Sequence, residues 1–248
     1  MCLSQSELTR YNRQILIKGW GIEGQKKLKA SKVAVVGLGG LGCLSSLYLA
    51  AAGAGSLTLI DREESSLSDL NRQILFTQVD LGQLKAEAAK KRLEALNPEI
   101  KVKAVIGEVT EETASGIIGD VDVVVDGLDN WQTRFVVNDY CVEKNIPFVH
   151  AGVSEFYGQL TTIVPGKGPC LRCIFPKEPP KVDVIPVFGA TPALLASLQV
   201  MEAIKLITGI GRPLVRRMLF MDGEEMTIEA AEIERNPNCG VCSTQRTV

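Results

Sequence analysis

The sequence predicts an α/β protein built on a doubly wound, mostly parallel sheet with a C-terminal extension of mixed strands. Three observations predict it. Short Val-, Ile- and Leu-rich runs alternate with longer helical segments through the first two thirds of the chain, as expected of strands covered by helices on both faces. A glycine-rich turn joins the first strand to a small-residue helix. The last third drops the alternation and offers short strands with no helix between some of them. At 248 residues the chain suffices for one large domain.

The elements follow in order. Residues 1–30 are polar with helical spacing and read as an N-terminal helical arm, and no separable linker divides 31–248. Residues 32–37 form a short buried strand, and a helix runs from about Leu41 to Ala52. Residues 57–61 make a second strand that ends in Asp61. Helical periodicity covers Leu81 to Leu96 and stops at Asn97-Pro98. Strands follow at 101–106, 121–126 and 147–150, with a helix to about Lys144 before the last. Then come a strand at 158–164, a Pro- and Lys-rich loop at 177–186, an apolar helix over 191–208, and strands at 215–221 and 226–233.

Composition excludes several classes. Lys+Arg is 27 and Asp+Glu 29, so net charge is −2, and no chain-wide nucleic-acid binder is expected. The apolar helix carries Glu202 and Lys205, which reads as a buried helix and not a membrane span. The N-terminus lacks a secretory pattern, and seven cysteines without one suggest a reducing, cytoplasmic setting. The single histidine, His150, reads as a strand-end residue with a satisfied hydrogen bond.

Gly37-Leu38-Gly39-Gly40-Leu41-Gly42 fits G-x-G-x-x-G between a strand and a helix, which makes the sheet Rossmann-like. Its first glycine allows the turn, the second admits a phosphate, and the third lets helix pack on strand. The helix N-terminus offers free N–H groups to the anion. Asp61 ends the next strand, where a carboxylate accepts hydrogen bonds from ribose hydroxyls. NAD and ATP both satisfy this pattern, so an NAD-dependent oxidoreductase stands as an alternative. Phosphate chemistry is favoured by Arg13 in the arm, Arg72 and Lys85 after the second strand, and Asp129-Asn130 after the fourth. Cations with a carboxylate able to hold Mg²⁺ are the parts that stabilise an in-line displacement on a triphosphate.

The chain resembles the ThiF/MoeB-type adenylyltransferases, prokaryotic relatives of ubiquitin-activating enzymes. The resemblance is carried by Arg10-Tyr11-Asn12-Arg13-Gln14, the glycine turn, Leu70-Asn71-Arg72-Gln73, Gly82-Gln83-Leu84-Lys85 and Asp126-Gly127-Leu128-Asp129-Asn130. It continues through Gly158-Gln159, residues 197–205 and both Cys pairs. It implies ATP and Mg²⁺, with Gly40 and the turn against ATP, Asp61 on the ribose, Arg72 and Lys85 on the phosphates, and Asp129 on Mg²⁺. It further implies a homodimer in which Arg13 reaches the neighbouring subunit's site. The implied substrate is the C-terminal glycine carboxylate of a small ubiquitin-like sulfur-carrier protein ending in Gly-Gly. Adenylation of a small-molecule or peptide carboxylate is the alternative within this chemistry.

Three departures from the family pattern stand out. Asp69 replaces the usual Asn before Leu70, and an acid there repels phosphates unless it binds Mg²⁺ or points away. Glu63 replaces a second Asp. The loop Lys181-Val182-Asp183-Val184-Ile185-Pro186 lacks the cysteine many members carry, so no thioester step is expected and sulfur comes from a separate donor. The chain ends soon after the last Cys pair, so no fused sulfur-transfer domain is expected.

Cys170-Leu171-Arg172-Cys173 and Cys239-Gly240-Val241-Cys242 are two C-x-x-C pairs able to build a tetrahedral S₄ site for Zn²⁺. A redox pair or two disulfides are rivals by spacing; the resemblance implies structural zinc. Cys43 and Cys141 read as core residues, and Cys2 as exposed. Arg134 and Asn138 read as fixing the helix and loop after Asp129, Trp20 and Trp131 as packing or interface residues, and Lys26, Lys27 and Lys29 as a solvated face.

Overall fold

The computed structural model describes residues 2–180, 182 and 184–243. Lys181 and Asp183 of the cysteine-free loop and the last five residues of the C-terminal extension lie outside the described residues.

The arm forms α1 (Gln5–Arg10), α2 (Asn12–Ile15) and α3 (Gly21–Ala30). Tyr11 anchors it: the ring is buried, and its hydroxyl accepts a hydrogen bond from Asn97 Nδ2 at 2.8 Å. The lysines of α3 are not a purely solvated face. Lys29 pairs with the buried Glu7 at 2.6 Å, and Lys27 donates to Thr208 O at 2.9 Å. Chain segments pass close enough there for the long side chains to reach buried acceptors.

The α/β layers comprise β1 (Lys32–Val36), α4 (Gly40–Ala52), β2 (Ser56–Ile60), α5 (Lys85–Leu96) and β3 (Lys101–Val105). They continue with α6 (Ala114–Ile118), β4 (Val123–Asp126), α7 (Trp131–Lys144) and β5 (Phe148–Ser154). The extension holds β6 (Tyr157–Ile163), α8 (Leu171–Ile174), α9 (Ala190–Thr208), β7 (Arg217–Asp222) and β8 (Thr227–Glu232). All eight strands form one sheet in the order β3-β2-β1-β4-β5-β6-β7-β8. The pairs from β3 to β5 are parallel and those from β5 to β8 antiparallel.

Side-chain alternation along the strands feeds two cores. Val33, Val35, Leu57, Leu59, Val123 and Val125 join Leu49, Leu93 and Ala203 on one face. Ala34, Val36, Ile60, Val124 and Phe148 join Ile118, Phe135 and Leu171 on the other. The helix α9 has the length and composition of a membrane span, yet it lies against α4, β5 and β6 and buries Leu195, Ala196, Val200 and Ala203.

Two boundaries differ from expectation. The helix expected from Leu81 starts at Lys85. Gly82 has φ +76°, Leu84 is extended at φ −59°, ψ 123°, and Thr77 and Asp80 instead form a capping box on a 3₁₀ turn at Gln78–Asp80. The strand expected at 147–150 runs on to Ser154. There it turns through Glu155, at φ +53°, into antiparallel pairing with β6, Ser154 facing Tyr157. His150 therefore lies mid-strand.

Candidate active site

The chain leaves β1 and returns on its two sides: β2 and β3 stack on one, β4 and β5 on the other. Ligands of doubly wound sheets bind at such a reversal, beyond the carboxyl ends of the strands. The glycine turn follows β1 there, and the Asp126–Asn130 loop follows β4.

Packing explains some of these glycines and not others. A Cβ on Gly42 would stand 1.8 Å from Gly37 O, and one on Gly127 2.1 Å from the same atom. Gly37 itself has φ +88°. These three let the two loops touch. A Cβ on Gly39 would meet only Gly127 O at 3.5 Å, an ordinary contact. Gly39 is the N-cap of α4 and supplies no side-chain cap, so the N–H groups of that helix end stay open. At Gly40 the added atom would meet Pro192 at 3.0 Å and Arg72 Cγ at 3.5 Å, which sets Arg72 beside the turn.

Acids and bases interlock around this end. Asp61 Oδ2 accepts from Leu38 N at 2.7 Å and Oδ1 from Glu63 N at 2.8 Å, tying β2 to the turn. Burial pushes its pKa up, against those two bonds and Lys85. Lys85 is almost fully buried at the start of α5; its Nζ lies 2.7 Å from Glu63 Oε2 and 3.5 Å from Asp69 Oδ2. Burial alone would lower its pKa, but the surrounding carboxylates raise it, so it stays charged. Sequence reasoning treated Glu63 only as a mild replacement; it is the direct partner of Lys85.

Asp69 neither stands free nor points into the crevice as an unpaired charge. Its Oδ2 accepts from Ser66 N at 2.9 Å and Ser66 Oγ at 3.0 Å, and its Oδ1 from Gln73 Nε2 at 2.9 Å. Arg72 Nη2 lies 3.4 Å from Oδ1. Burial would raise the Asp69 pKa, but Ser66, Lys85 and Arg72 outweigh it and hold it low. Arg72 also donates to Ser68 O at 2.8 Å and Asn71 Oδ1 at 3.0 Å.

Asp129 differs. It is exposed, and among the described residues it accepts only from Asn130 Nδ2 at 3.4 Å. A carboxylate with no cation beside it suits Mg²⁺, which binds proteins through one or two carboxylates together with phosphates. Asn130 caps α7, accepting from Thr133 N at 2.9 Å. Arg13 is exposed on α2 and without a partner among the described residues.

Beneath the Asp129 loop lies a buried polar network, in which Arg134 fixes the loop as the sequence led us to expect, while the parts of Gln199 and His150 were not foreseen. Gln199 Nε2 donates to Asp126 O at 2.8 Å and Val149 O at 3.2 Å. Asp126 Oδ2 accepts from Arg134 Nε at 2.9 Å and His150 Nδ1 at 2.7 Å. The Asp126–Arg134 spacing across an N-capped helix start was the available signal. Beside it, a cavity of 740 Å³ is lined by Trp131, Arg134, Gly152, Tyr157, Pro180 and Phe220.

The four cysteines of the two pairs come together although their pairs are distant in sequence. Their Sγ atoms lie within 4.8 Å of one another, with Cys170–Cys239 at 3.7 Å and Cys173–Cys242 at 3.4 Å. All four are free thiols. Zn–S bonds of about 2.3 Å in a tetrahedron put sulfurs about 3.8 Å apart, so the cluster fits Zn²⁺. Cys43 and Cys141 are buried, and burial raises both thiol pKa values.

The model of the ThiF family matches residues 11–241. The chain belongs to the ThiF family. It is 41% identical over 255 residues to the sulfur carrier protein adenylyltransferase of Thermus thermophilus, covering 98% of this chain and 94% of that one. It is 40% identical over 247 residues to the SAMP-activating enzyme E1 of Haloferax volcanii, covering 98% and 91%. The crystal structure of E. coli MccB with ATP superposes with a TM-score of 0.85 at 28% identity, covering 95% of this chain and 75% of that one. The Thermus relative is named an adenylyltransferase and the Haloferax relative an activating enzyme, in keeping with the adenylyltransferase expected from the sequence.

Proposed function

We propose that the chain adenylates the C-terminal glycine carboxylate of a small ubiquitin-like sulfur-carrier protein, at the expense of ATP. The observation that carries this is the meeting of an uncapped helix N-terminus, Asp61, Lys85, Arg72 and the Asp129 loop at one sheet reversal, in a chain 41% identical to a sulfur carrier protein adenylyltransferase.

The glycine turn, with Gly37, Gly39, Gly40 and Gly42, takes the phosphates, and Asp61 takes the ribose. Arg72 and Lys85 turn from their acidic partners to the phosphates. Asp129, next to Asn130, would hold Mg²⁺, which when bound offsets phosphate charge. The carrier carboxylate attacks the α-phosphorus. The bond from that phosphorus to the bridging oxygen breaks, and pyrophosphate leaves with the electron pair. The nucleophile is already ionised at pH 7, so no general base is needed and the buried His150 is not required as one. Catalysis is positioning and charge stabilisation. The cavity between Trp131 and Phe220 opens beside the Asp129 loop and suits an extended tail with a small terminus.

The proposal includes a homodimer. Arg13 is unpaired among the described residues, and Leu16, 77% exposed, and Ile17 follow it in sequence, an arrangement suited to burial against a second copy with Arg13 entering its site. Zn²⁺ on the four cysteines ties the C-terminal turn to α8. Val182, Val184 and Ile185 offer no thiol in the loop over the cavity, so sulfur comes from a separate donor. The reaction belongs to thiamine, molybdopterin or tRNA-sulfur metabolism in the cytoplasm. The likeness to E. coli MccB, solved with MccA, supports keeping a second reading, adenylation of a small-molecule or peptide carboxylate.

ATP–pyrophosphate exchange with Mg²⁺, run with each small Gly-Gly-ended protein of the same genome, tests the proposal. Exchange with one of them is expected. Silence with all of them, with ATP still bound, would move the assignment to a peptide carboxylate.

A further inference from the structure

The loop that carries Asp129 is held from below. Gly127 N donates to Val36 O at 2.7 Å, and Leu128 N to Asp126 Oδ1 at 2.9 Å. Arg134 Nη2 donates to Leu128 O and, at 3.1 Å, to Ala151 O. The Leu128–Asp129 peptide is therefore oriented by Arg134, and Arg134 by Asp126 Oδ2. That same oxygen carries the His150 bond. A carboxylate only accepts, so Nδ1 bears the hydrogen.

His150 is an expensive choice for this position. It is fully buried in β5, with ring centroids of Trp131, Phe148 and Phe175 at 5.8, 6.4 and 6.4 Å. Among the described residues its Nε2 has no partner, so the ring bears the desolvation penalty of a buried, unpaired polar atom. An apolar side chain would fill the aromatic cage without that penalty. What it could not supply is the third hydrogen bond that fixes the plane of the Asp126 carboxylate.

We propose that His150 is a positioning residue for the nucleotide–metal site: through Asp126 and Arg134 it sets the direction in which Asp129 presents its carboxylate. The inference rests on the reading of Asp129 as the Mg²⁺ carboxylate. It assigns a task to the one histidine, which the chemistry leaves without any.

Three variants test it. In His150→Phe the cage stays filled and the donor is lost. In His150→Asn an amide nitrogen stands where Nδ1 was. In His150→Gln the donor moves out toward the Nε2 position. Loss of an outer partner of a metal-holding group typically weakens the metal by about ten- to a hundredfold. His150→Phe and His150→Gln are thus expected to raise the Mg²⁺ concentration for half-maximal pyrophosphate exchange about tenfold, and His150→Asn by less than about threefold. A purely structural loss would lower the active fraction and leave that concentration unchanged. The second readout is the amide NMR signals of Leu128 and Asp129 in nucleotide-free protein, which should shift in His150→Phe and His150→Gln and stay near wild type in His150→Asn. Unmoved amides in His150→Phe, or equal Mg²⁺ dependence in all four proteins, overturns the inference. If wild type catalyses no exchange, the proposed function fails, and the amide signals still decide the positioning role.

Discussion

Asp69→Asn introduces the residue that the family resemblance led us to expect and separates two effects of one carboxylate. Asp69 lies 3.4 Å from Arg72 Nη2 and 3.5 Å from Lys85 Nζ. Unit charges at such a distance attract by about 1 kcal/mol in water and about 5 kcal/mol at an effective dielectric constant of about 20. The Asp69 side chain is 10% exposed and that of Arg72 29%, so screening is partial. Releasing about 1.4 kcal/mol of that attraction to the phosphates tightens ATP binding about tenfold. The opposite effect falls on stability. Both carboxylate oxygens accept hydrogen bonds, from Ser66 on one side and Gln73 on the other, and an amide offers one oxygen. Leaving one set unmade costs about 1–3 kcal/mol, or a melting point lower by roughly 2–10 °C in a chain of this size. The sign of the pH effect is also fixed. The folded-state pKa of Asp69 is depressed, so its stabilisation is present above the unfolded value of about 3.9 and fades as pH falls through the folded value. The variant should lack that part of the acid-side loss. Calorimetric ATP titration at pH 7 and thermal melts from pH 7 down to about pH 2 measure all three. ATP affinity unchanged or weakened in a folded Asp69→Asn protein would refute the view that Asp69 competes with phosphate for Arg72 and Lys85.

The remaining predictions use separate parts of the molecule. Asp129→Ala should lower pyrophosphate exchange by about a hundredfold or more with an unchanged melting point, because the side chain is exposed and makes one long contact; near-normal turnover would remove it from the site. Metal analysis should return one zinc per chain, lost in Cys239→Ser together with thermal stability. A zinc-free protein that melts as wild type would reassign the cysteine cluster. Arg13→Ala and Asp129→Ala proteins, each inactive, should regain exchange when mixed and reassembled, since a mixed dimer holds one intact shared site; no recovery would place Arg13 in its own subunit's site or in none.

Much of the layer architecture was legible because strands buried on both faces are apolar throughout, as in Val33–Val36 and Val123–Val125, and stand apart from the amphipathic α5. The start of α5 was not, because periodicity carries across Gly82 while the backbone does not. The run-on of β5 to Ser154 was hidden for a related reason: Gly152 interrupts the alternation that marks a strand. At the site, Asp61, Arg72, Lys85 and Asp129 could be picked out by type and by position after a strand. Their pairing could not. Lys85 choosing Glu63, and Asp69 serving as a cap while flanked by two cations, depend on side-chain directions that spacing along the chain leaves open. His150 was read as a satisfied strand-end residue; only one of its nitrogens is satisfied.

That pairing has a chemical consequence. Three carboxylates, Asp61, Glu63 and Asp69, surround two cations, Lys85 and Arg72, so the cluster is net negative before nucleotide arrives. Such a cluster does not attract a triphosphate by simple charge. In the proposed site ATP binding would exchange partners: Lys85 leaves Glu63, which is 57% exposed and can be solvated, while Asp69 keeps its backbone bonds and its place. On the proposed reading of the site, Glu63 is a resident substitute for the phosphate, pairing with the buried Lys85 until ATP displaces it. Glu63→Gln should therefore tighten ATP binding while Lys85 becomes harder to keep charged in nucleotide-free protein. Glu63→Gln with weaker ATP binding, measured by the same titration, would mean that Glu63 belongs to the nucleotide site as a ligand and not as a placeholder.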